Sequence, residues 1–366
     1  MNTHTEFAEK LARVRGYLKA HGFDGVLYCG NDNFSWLTCG HYGFVDKSTG
    51  EAAAKLLVTG DRQYVICNSS EMYRIPQEEL GDSEFELVRF PWHADEASVL
   101  QKLIAGGTIA SDSGGFDTQE RREELARLRY VLTDGEITRY REIGPLAAGI
   151  VEDCCRDIRL GDSELAIAGA VTGRLMSAGF QVPVCLVAAD DRLLHYRHPI
   201  PTQNTVRERA QVAVCTQKYG LTISITRIVS FREPDSETRR KYDAVTAIDA
   251  AYILNTVPGA RAGEIVKQAH DVYTQWGYEA DFHLHHQGGA LGYRTRDYCA
   301  NEQNQELVRD RQAFSWNPTI RGVKCEDTFL VCNGRQELLS QTDRWPVREV
   351  THNGKGIRRP EILLRL

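Results

Sequence analysis

The chain has 366 residues and a formal charge of -6, with 42% apolar and 26% charged residues. That length suits two domains better than one core, and the composition is ordinary for a globular protein. Mild acidity without any Lys/Arg block excludes a nucleic-acid backbone as the expected partner. No run approaches the ~18 apolar residues of a membrane span, and the first residues have helical periodicity rather than the apolar core of a secretory signal. Ten cysteines are scattered without a CxxC pair. That pattern suits reduced thiols and a cytoplasmic setting better than a disulfide framework.

Phe7, Leu11, Val14 and Leu18 lie at helical spacing, and His21-Gly22 stops that helix. Gly25 to Cys29 reads as a buried strand, and 55–59 and 63–67 as strands joined at Gly60-Asp61. Strands at 86–90 and 108–111 and helices near 94–104 and 118–127 complete a small α/β domain over residues 1–135. From 136 to 366 the pattern changes. A long helix is expected at 137–158, then a second at 163–178 with Ser163 as its N-cap. Strands follow at 181–188, 210–217 and 221–230, then helices at 235–256 and 262–276 separated by Pro258-Gly259. Two helix pairs, each followed by strands, point to an internal duplication.

The last third holds two dense runs, HLHHQGGALGY at 283–293 and WNPTI…KCEDT at 316–328. Glycines let backbone approach a ligand closely, and Glu326 is the acid offered to the same place. Read as a strand, the first run puts His283 and His285 on one face and His286 on the other. A relocated metal site drawn from His195, His198, His283, His285, His286, Asp190 and Asp191 is therefore the weaker reading. No metal and no cofactor are expected.

The order of elements, Tyr219-Gly220 with Ser224-Ile225-Thr226-Arg227 and the two dense runs together resemble the pita-bread superfamily of creatinase, prolidase, aminopeptidase P and methionine aminopeptidase. The resemblance implies an α/β N-terminal domain of creatinase/prolidase type followed by an α+β pita-bread domain. The peptidase members bind two divalent metals through two Asp on a β-hairpin, one His and two Glu. Those positions correspond here to Ala213, Ser224, Gly289, Asn317 and Glu326. Two divalent ions bring four positive charges, and one carboxylate leaves most of that charge uncompensated in a recessed site. The resemblance thus implies a lost dinuclear centre.

Creatinase is a metal-free member that hydrolyses a C–N bond with a His as acid/base. His198, in His198-Pro199-Ile200-Pro201, matches the family's His ahead of the hairpin, and an imidazole exchanges protons near neutral pH. His285 matches the substrate-facing His and would stabilise developing negative charge. Glu326 would orient water or accept from a cationic substrate group, its bland alternative being a salt bridge with Lys324 or Arg227. Arg296 would pair with a substrate carboxylate, while Asn317, Ser224, Tyr293 and Trp316 shape the pocket. Cys215 is read as a buried, inert thiol, and Asp190, Asp191 and Arg192 as surface charge.

The expected function is a metal-independent, creatinase-like hydrolase cleaving a C–N bond of a small polar amidine, amide or amino-acid derivative. An Xaa-Pro metallopeptidase and a catalytically silent binding module are the alternatives. The expected partners are a small-molecule substrate and a second copy of the chain in a homodimer, with loop 39–44 nearing the partner's site. No nucleic acid and no membrane are expected.

Overall fold

The computed structural model describes residues 3–80, 84–104 and 106–366. The chain divides into two compact units between Ile137 and Thr138, with Tyr219–Leu221 grouped with the first. In the first unit, α1 (Thr3–His21) ends where Gly22 turns left-handed at φ 70° and donates to the Leu18 carbonyl at 2.9 Å. One six-stranded sheet follows, from β1 (Gly25–Gly30), β2 (Glu51–Thr59), β3 (Gln63–Asn68), β4 (Glu86–Phe90), β5 (Ile109–Ser111) and β6 (Gln119–Glu120), in the order β4-β3-β2-β1-β5-β6. Leu27, Leu57, Ile66 and Leu100 form its core on one face.

Besides α1, the α-helices described in this unit include α2 (Asn31–Leu37), α3 (Glu96–Ile104) and α4 (Arg122–Arg127), with a π-helical turn at Ile75–Glu79. The helix expected at 118–127 is split. Gln119 and Glu120 pair in parallel with Ala110 and Ser111, which uses backbone groups that a helix would need, so α4 starts only after them.

The second unit begins within α5 (Asp134–Asp157), followed by α6 (Glu164–Ser177), β7 (Gln181–Ala189), α7 (Arg192–His195), β8 (Arg209–Lys218) and β9 (Leu221–Ser230). Ser163 caps α6 as read, its hydroxyl accepting from Ala166 N at 3.1 Å. Tyr219 and Gly220 both have positive φ, 56° and 72°, as a two-residue hairpin turn that follows the strand twist requires. Next come α8 (Ser236–Asn255), α9 (Ala262–Trp276), α10 (Glu279–Phe282), β10 (Gly288–Leu291), β11 (Tyr298–Cys299), β12 (Gln312–Trp316), β13 (Thr319–Ile320), β14 (Val323–Lys324), β15 (Asp327–Cys332) and β16 (Arg335–Leu338). A hairpin of β17 (Val347–His352) and β18 (Lys355–Pro360), then β19 (Leu363–Leu364), end the chain.

Among the described residues, two larger sheets result, β11-β10-β12-β15-β16 and β19-β9-β8-β7, beside the two-stranded pairs β13-β14 and β17-β18. Helices α8 and α9 cover the first through Ile248, Tyr252, Val266, Phe314 and Phe329, all fully buried, each contributing on the order of 1.5–3 kcal/mol by leaving water. Trp316 belongs to this core rather than to a pocket. It is fully buried, stacks on Tyr252 at 4.6 Å and donates from Nε1 to Thr256 Oγ1 at 3.0 Å.

Beneath the sheets runs a buried ion network that periodicity does not announce. Arg227 pairs with Glu152 at 3.1 Å and Asp327 at 3.0 Å, and Arg359 with Asp249 at 2.5 Å and Asp327 at 2.9 Å. Arg227 is therefore no partner of Glu326. Among the described residues no helix is long and apolar enough to cross a membrane.

Candidate functional site

A cavity of about 310 Å³ in the second unit is lined by residues that include His198, Ala213, Arg296, Asn317, Lys324 and Glu326. The strands explain the convergence. Backbone of β9 meets the start of β15, with Thr226 N donating to the Glu326 carbonyl at 3.0 Å and Ser224 N to Thr328 Oγ1 at 2.7 Å. That seam carries the hairpin's inward side chains to Glu326.

Glu326 is 2% exposed and fully engaged. Its Oε1 accepts from Arg296 Nη2 at 3.0 Å and Ser315 Oγ at 3.3 Å. Its Oε2 accepts from Thr226 Oγ1 at 2.9 Å and pairs with Lys324 Nζ at 3.0 Å. A carboxylate has about four acceptor positions, and all four are used. Burial pushes the Glu326 pKa up, but Lys324 and Arg296 together outweigh it and bring it down to about 2. Glu326 thus has no lone pair left for a water or a cationic substrate. It anchors two cations at the cavity instead, and Arg296 is held by it rather than free for a substrate carboxylate.

The expected strand at His283–His286 is absent. Helix α10 ends at Phe282 and regular strand starts only at Gly288, so period-two alternation does not govern this run. His285 and His286 stack, with ring centroids 4.4 Å apart, and His198 lies 4.8 Å and 5.8 Å from them. His285 Nε2 and His198 Nε2 are 3.1 Å apart. The Nδ1 of His285 faces the His286 carbonyl at 2.5 Å. A carbonyl only accepts, so this Nδ1 carries the proton and Nε2 of His285 is the bare acceptor. His198 therefore donates from Nε2 and keeps Nδ1 as its basic nitrogen.

Burial, then Lys324, His286 and His198, lowers the His285 pKa to about 3. Burial and Lys324 also lower His198, against a smaller opposing pull from Glu326. An unfolded His titrates near ~6.5, so between that pH and 3 the unfolded chain binds the extra proton. The stability linked to neutral His285 is complete above pH ~6.5 and is lost as pH falls toward 3. We expect the urea midpoint to fall between pH 7 and pH 5, and to fall less in His285→Gln. Parallel curves for both proteins would contradict this.

His198 sits on a loop fixed by two buried carboxylates that the sequence reading passed over or left on the surface. Glu164 accepts from Ala189 N at 2.9 Å, Thr202 N at 3.0 Å and Thr202 Oγ1 at 2.8 Å, and pairs with Arg192. Asp190, at φ 54°, accepts from the backbone of Arg207, Glu208 and Arg209 at 2.9 Å each. Asp190 and Arg192 are thus structural ties.

Tyr293 is buried and does not line the cavity. Ser224 is fully buried, donating to Cys215 Sγ at 3.2 Å and accepting from Arg296 Nη1 at 3.4 Å. Burial, then Glu326, pushes the Cys215 thiol up, which keeps it protonated and unreactive. Asn317 lines the cavity, and its buried Oδ1 has no hydrogen-bond partner.

The residues present do not fit a dinuclear centre. Ala213 has no donor atom, Glu326 is saturated, and Gly289 cannot be replaced by a ligand in place. Its φ is 150°, and a Cβ there would lie 2.3 Å from the Tyr298 carbonyl oxygen. His198, His285 and His286 each offer a nitrogen within 4.8 Å of the others. A cation there faces Lys324 and Arg296 with one carboxylate between them, which is unfavourable in a recessed site.

An Xaa-Pro dipeptidase of Pyrococcus horikoshii is 21% identical over 92% of this chain and 98% of its own length. The structure of an Xaa-Pro dipeptidase from Bacillus anthracis superposes with a TM-score of 0.77 at 17% identity, over 98% of this chain and all of that one. The N-terminal domain of FACT complex subunit SPT16 from Cicer arietinum superposes with a TM-score of 0.72 at 12% identity, over 93% and 96% of the two chains. The profile of the creatinase/prolidase N-terminal domain matches residues 10–143. With the profile of metallopeptidase family M24 matching 138–333, over half the chain, the assignment follows: this protein belongs to metallopeptidase family M24 and carries the creatinase/prolidase N-terminal domain.

Proposed function

We propose that this protein is a hydrolase of a C–N bond in a small amide or amino-acid derivative, and that it works without the dinuclear centre of its family. The observation that carries this reading is Glu326, whose acceptor positions are filled by Arg296, Lys324 and two hydroxyls. Two protonated side chains supply positive charge at the acid where the resemblance would put metal ions. Arg296 and Lys324 against Glu326 leave one net positive charge, which favours a substrate bearing a carboxylate.

In this mechanism Nδ1 of His198 takes a proton from water as the hydroxide adds to the carbonyl carbon. The new oxyanion is stabilised by the charge of Lys324. Collapse breaks the C–N bond, and His198 returns the proton to the leaving nitrogen. Asn317 Oδ1 accepts from the substrate N–H, giving that buried oxygen the partner it lacks. His285 holds the His198 tautomer and so acts as a positioning residue.

A second reading, an Xaa-Pro dipeptidase that requires metal, is supported more directly than the first by full-length resemblance to proteins of that name. The fold alone does not choose, since it also occurs in a subunit of the FACT complex. Chelation separates the two. We expect hydrolysis of small acyl amino acids to survive EDTA, and added Mn²⁺ or Co²⁺ not to raise cleavage of Xaa-Pro dipeptides. Loss of all turnover on chelation, restored by Mn²⁺, would replace the first reading with the second.

A further inference from the structure

We propose that His270, Glu279 and His283 form a mononuclear transition-metal site, separate from the cavity around Glu326. One ligand atom from each lies within 4.8 Å of the other two, and none of the three lines that cavity. The fold brings them together in steps. Gly277, left-handed at φ 82°, closes the C-terminus of α9 and reverses the chain into α10. Glu279 and His283 are then four residues apart and face the same way, toward His270 on α9.

His270 is prepared as a ligand. Its Nδ1 meets Glu302 Oε1 at 2.7 Å. A carboxylate accepts, so Nδ1 carries the proton and Nε2 presents its lone pair. That Nε2 is buried and has no hydrogen-bond partner. The ring cannot turn away easily, because it stacks on Phe282 at 3.9 Å with planes 6° apart. A carboxylate that orients a histidine's second nitrogen is how metal-bound imidazoles are commonly held. His₂Glu is an established zinc ligand set, with a fourth position left for water, and imidazole donors suit zinc over calcium or magnesium.

Charge favours the same assignment. Glu279 and Glu302 supply two negative charges beside two neutral imidazoles, which balances one divalent ion, whereas the histidines near Glu326 face Lys324 and Arg296. Zinc bonds of ~2.0–2.2 Å need donors about 3.4 Å apart, and Glu279 and His283 are exposed, so their side chains can close that gap by changing rotamer. The bound ion would pin α10 to α9 directly ahead of the run that carries His285 and His286.

The test uses the full-length protein, stripped with EDTA and titrated with ZnCl₂. We expect one zinc per chain, with a rise in the thermal midpoint, both lost in His270→Gln and His283→Gln. His283 is at the surface, so its variant reports binding rather than folding. Glu279→Gln should lose most of the affinity, and Glu302→Gln should weaken it by roughly 10- to 100-fold. The double variant His198→Ala/His285→Gln should still bind one zinc. Failure to bind zinc at micromolar concentration, binding that survives His283→Gln, or binding that disappears with the double variant overturns the assignment.

Discussion

Replacing His198 with alanine is expected to lower turnover of a small amide by roughly 100- to 10,000-fold, the usual contribution of a positioned acid/base, with little change in thermal midpoint. The side chain is exposed at the cavity mouth, and the loop that carries it is held by Glu164 and Asp190 rather than by the imidazole. Geometry sets it apart from His285, and burial, then Arg296 and Lys324, lower His286 to about 4. His285 spends Nδ1 on a carbonyl and Nε2 on His198, and its pKa near 3 leaves it neutral and weakly basic at neutral pH. His198 retains a basic nitrogen, with a pKa that burial and Lys324 lower below the ordinary value. The acid limb of the activity profile should therefore fall below pH ~6.5 and vanish with the side chain. Added imidazole should restore part of the rate in His198→Ala. A variant with full activity would remove His198 from the mechanism. His285→Gln should instead shift the acid limb, since its bare Nε2 fixes the His198 tautomer.

The sequence was legible where chemistry is local. Hydrophobic spacing located α1, Ser163 and Gly22 marked a cap and a stop, and Pro258-Gly259 marked the break between α8 and α9, because each acts on its immediate neighbours. Cavity residues His198, Asn317 and Glu326 were reachable because motif spacing carries inherited positions. What those residues touch was mostly not. Of the four bonds that saturate Glu326, the Lys324 pair, two residues away, is the one the sequence offered; Thr226, Ser315 and Arg296 come from β9, β12 and the loop before β11, and no spacing rule joins segments so far apart. The run at His283–His286 was misread for a related reason. Period-two alternation applies only within a strand, and this run is a helix end and a turn. Short elements such as α2, α7 and α10 are set by tertiary contacts rather than by propensity.

Arg359→Met is expected to cost about 3–5 kcal/mol, the range for removing one partner of a buried ion pair, and to cost more as pH rises. The network holds three acids, Glu152, Asp249 and Asp327, against two cations, Arg227 and Arg359, all buried. Asp249 is raised to about 6, first by burial and to a lesser degree by Asp327, despite the downward pull of Arg359. A carboxyl raised above its unfolded pKa of ~3.9 binds more protons when folded, so its contribution is full below that pH and is lost as pH rises toward 6. Methionine fills similar volume but supplies no charge. Without Arg359, three acids face one guanidinium, the folded pKa of Asp249 moves further up, and the loss extends to higher pH. Urea denaturation at pH 5, 7 and 8 should show the gap between variant and parent widening across the series. A gap under ~1 kcal/mol that stays flat with pH would mean that hydration, not the guanidinium, carries these carboxylates. Leu substituted for the exposed Arg344, whose partner Asp153 is also at the surface, should change stability by less than ~1 kcal/mol, which sets burial rather than ion pairing as the variable that decides the cost.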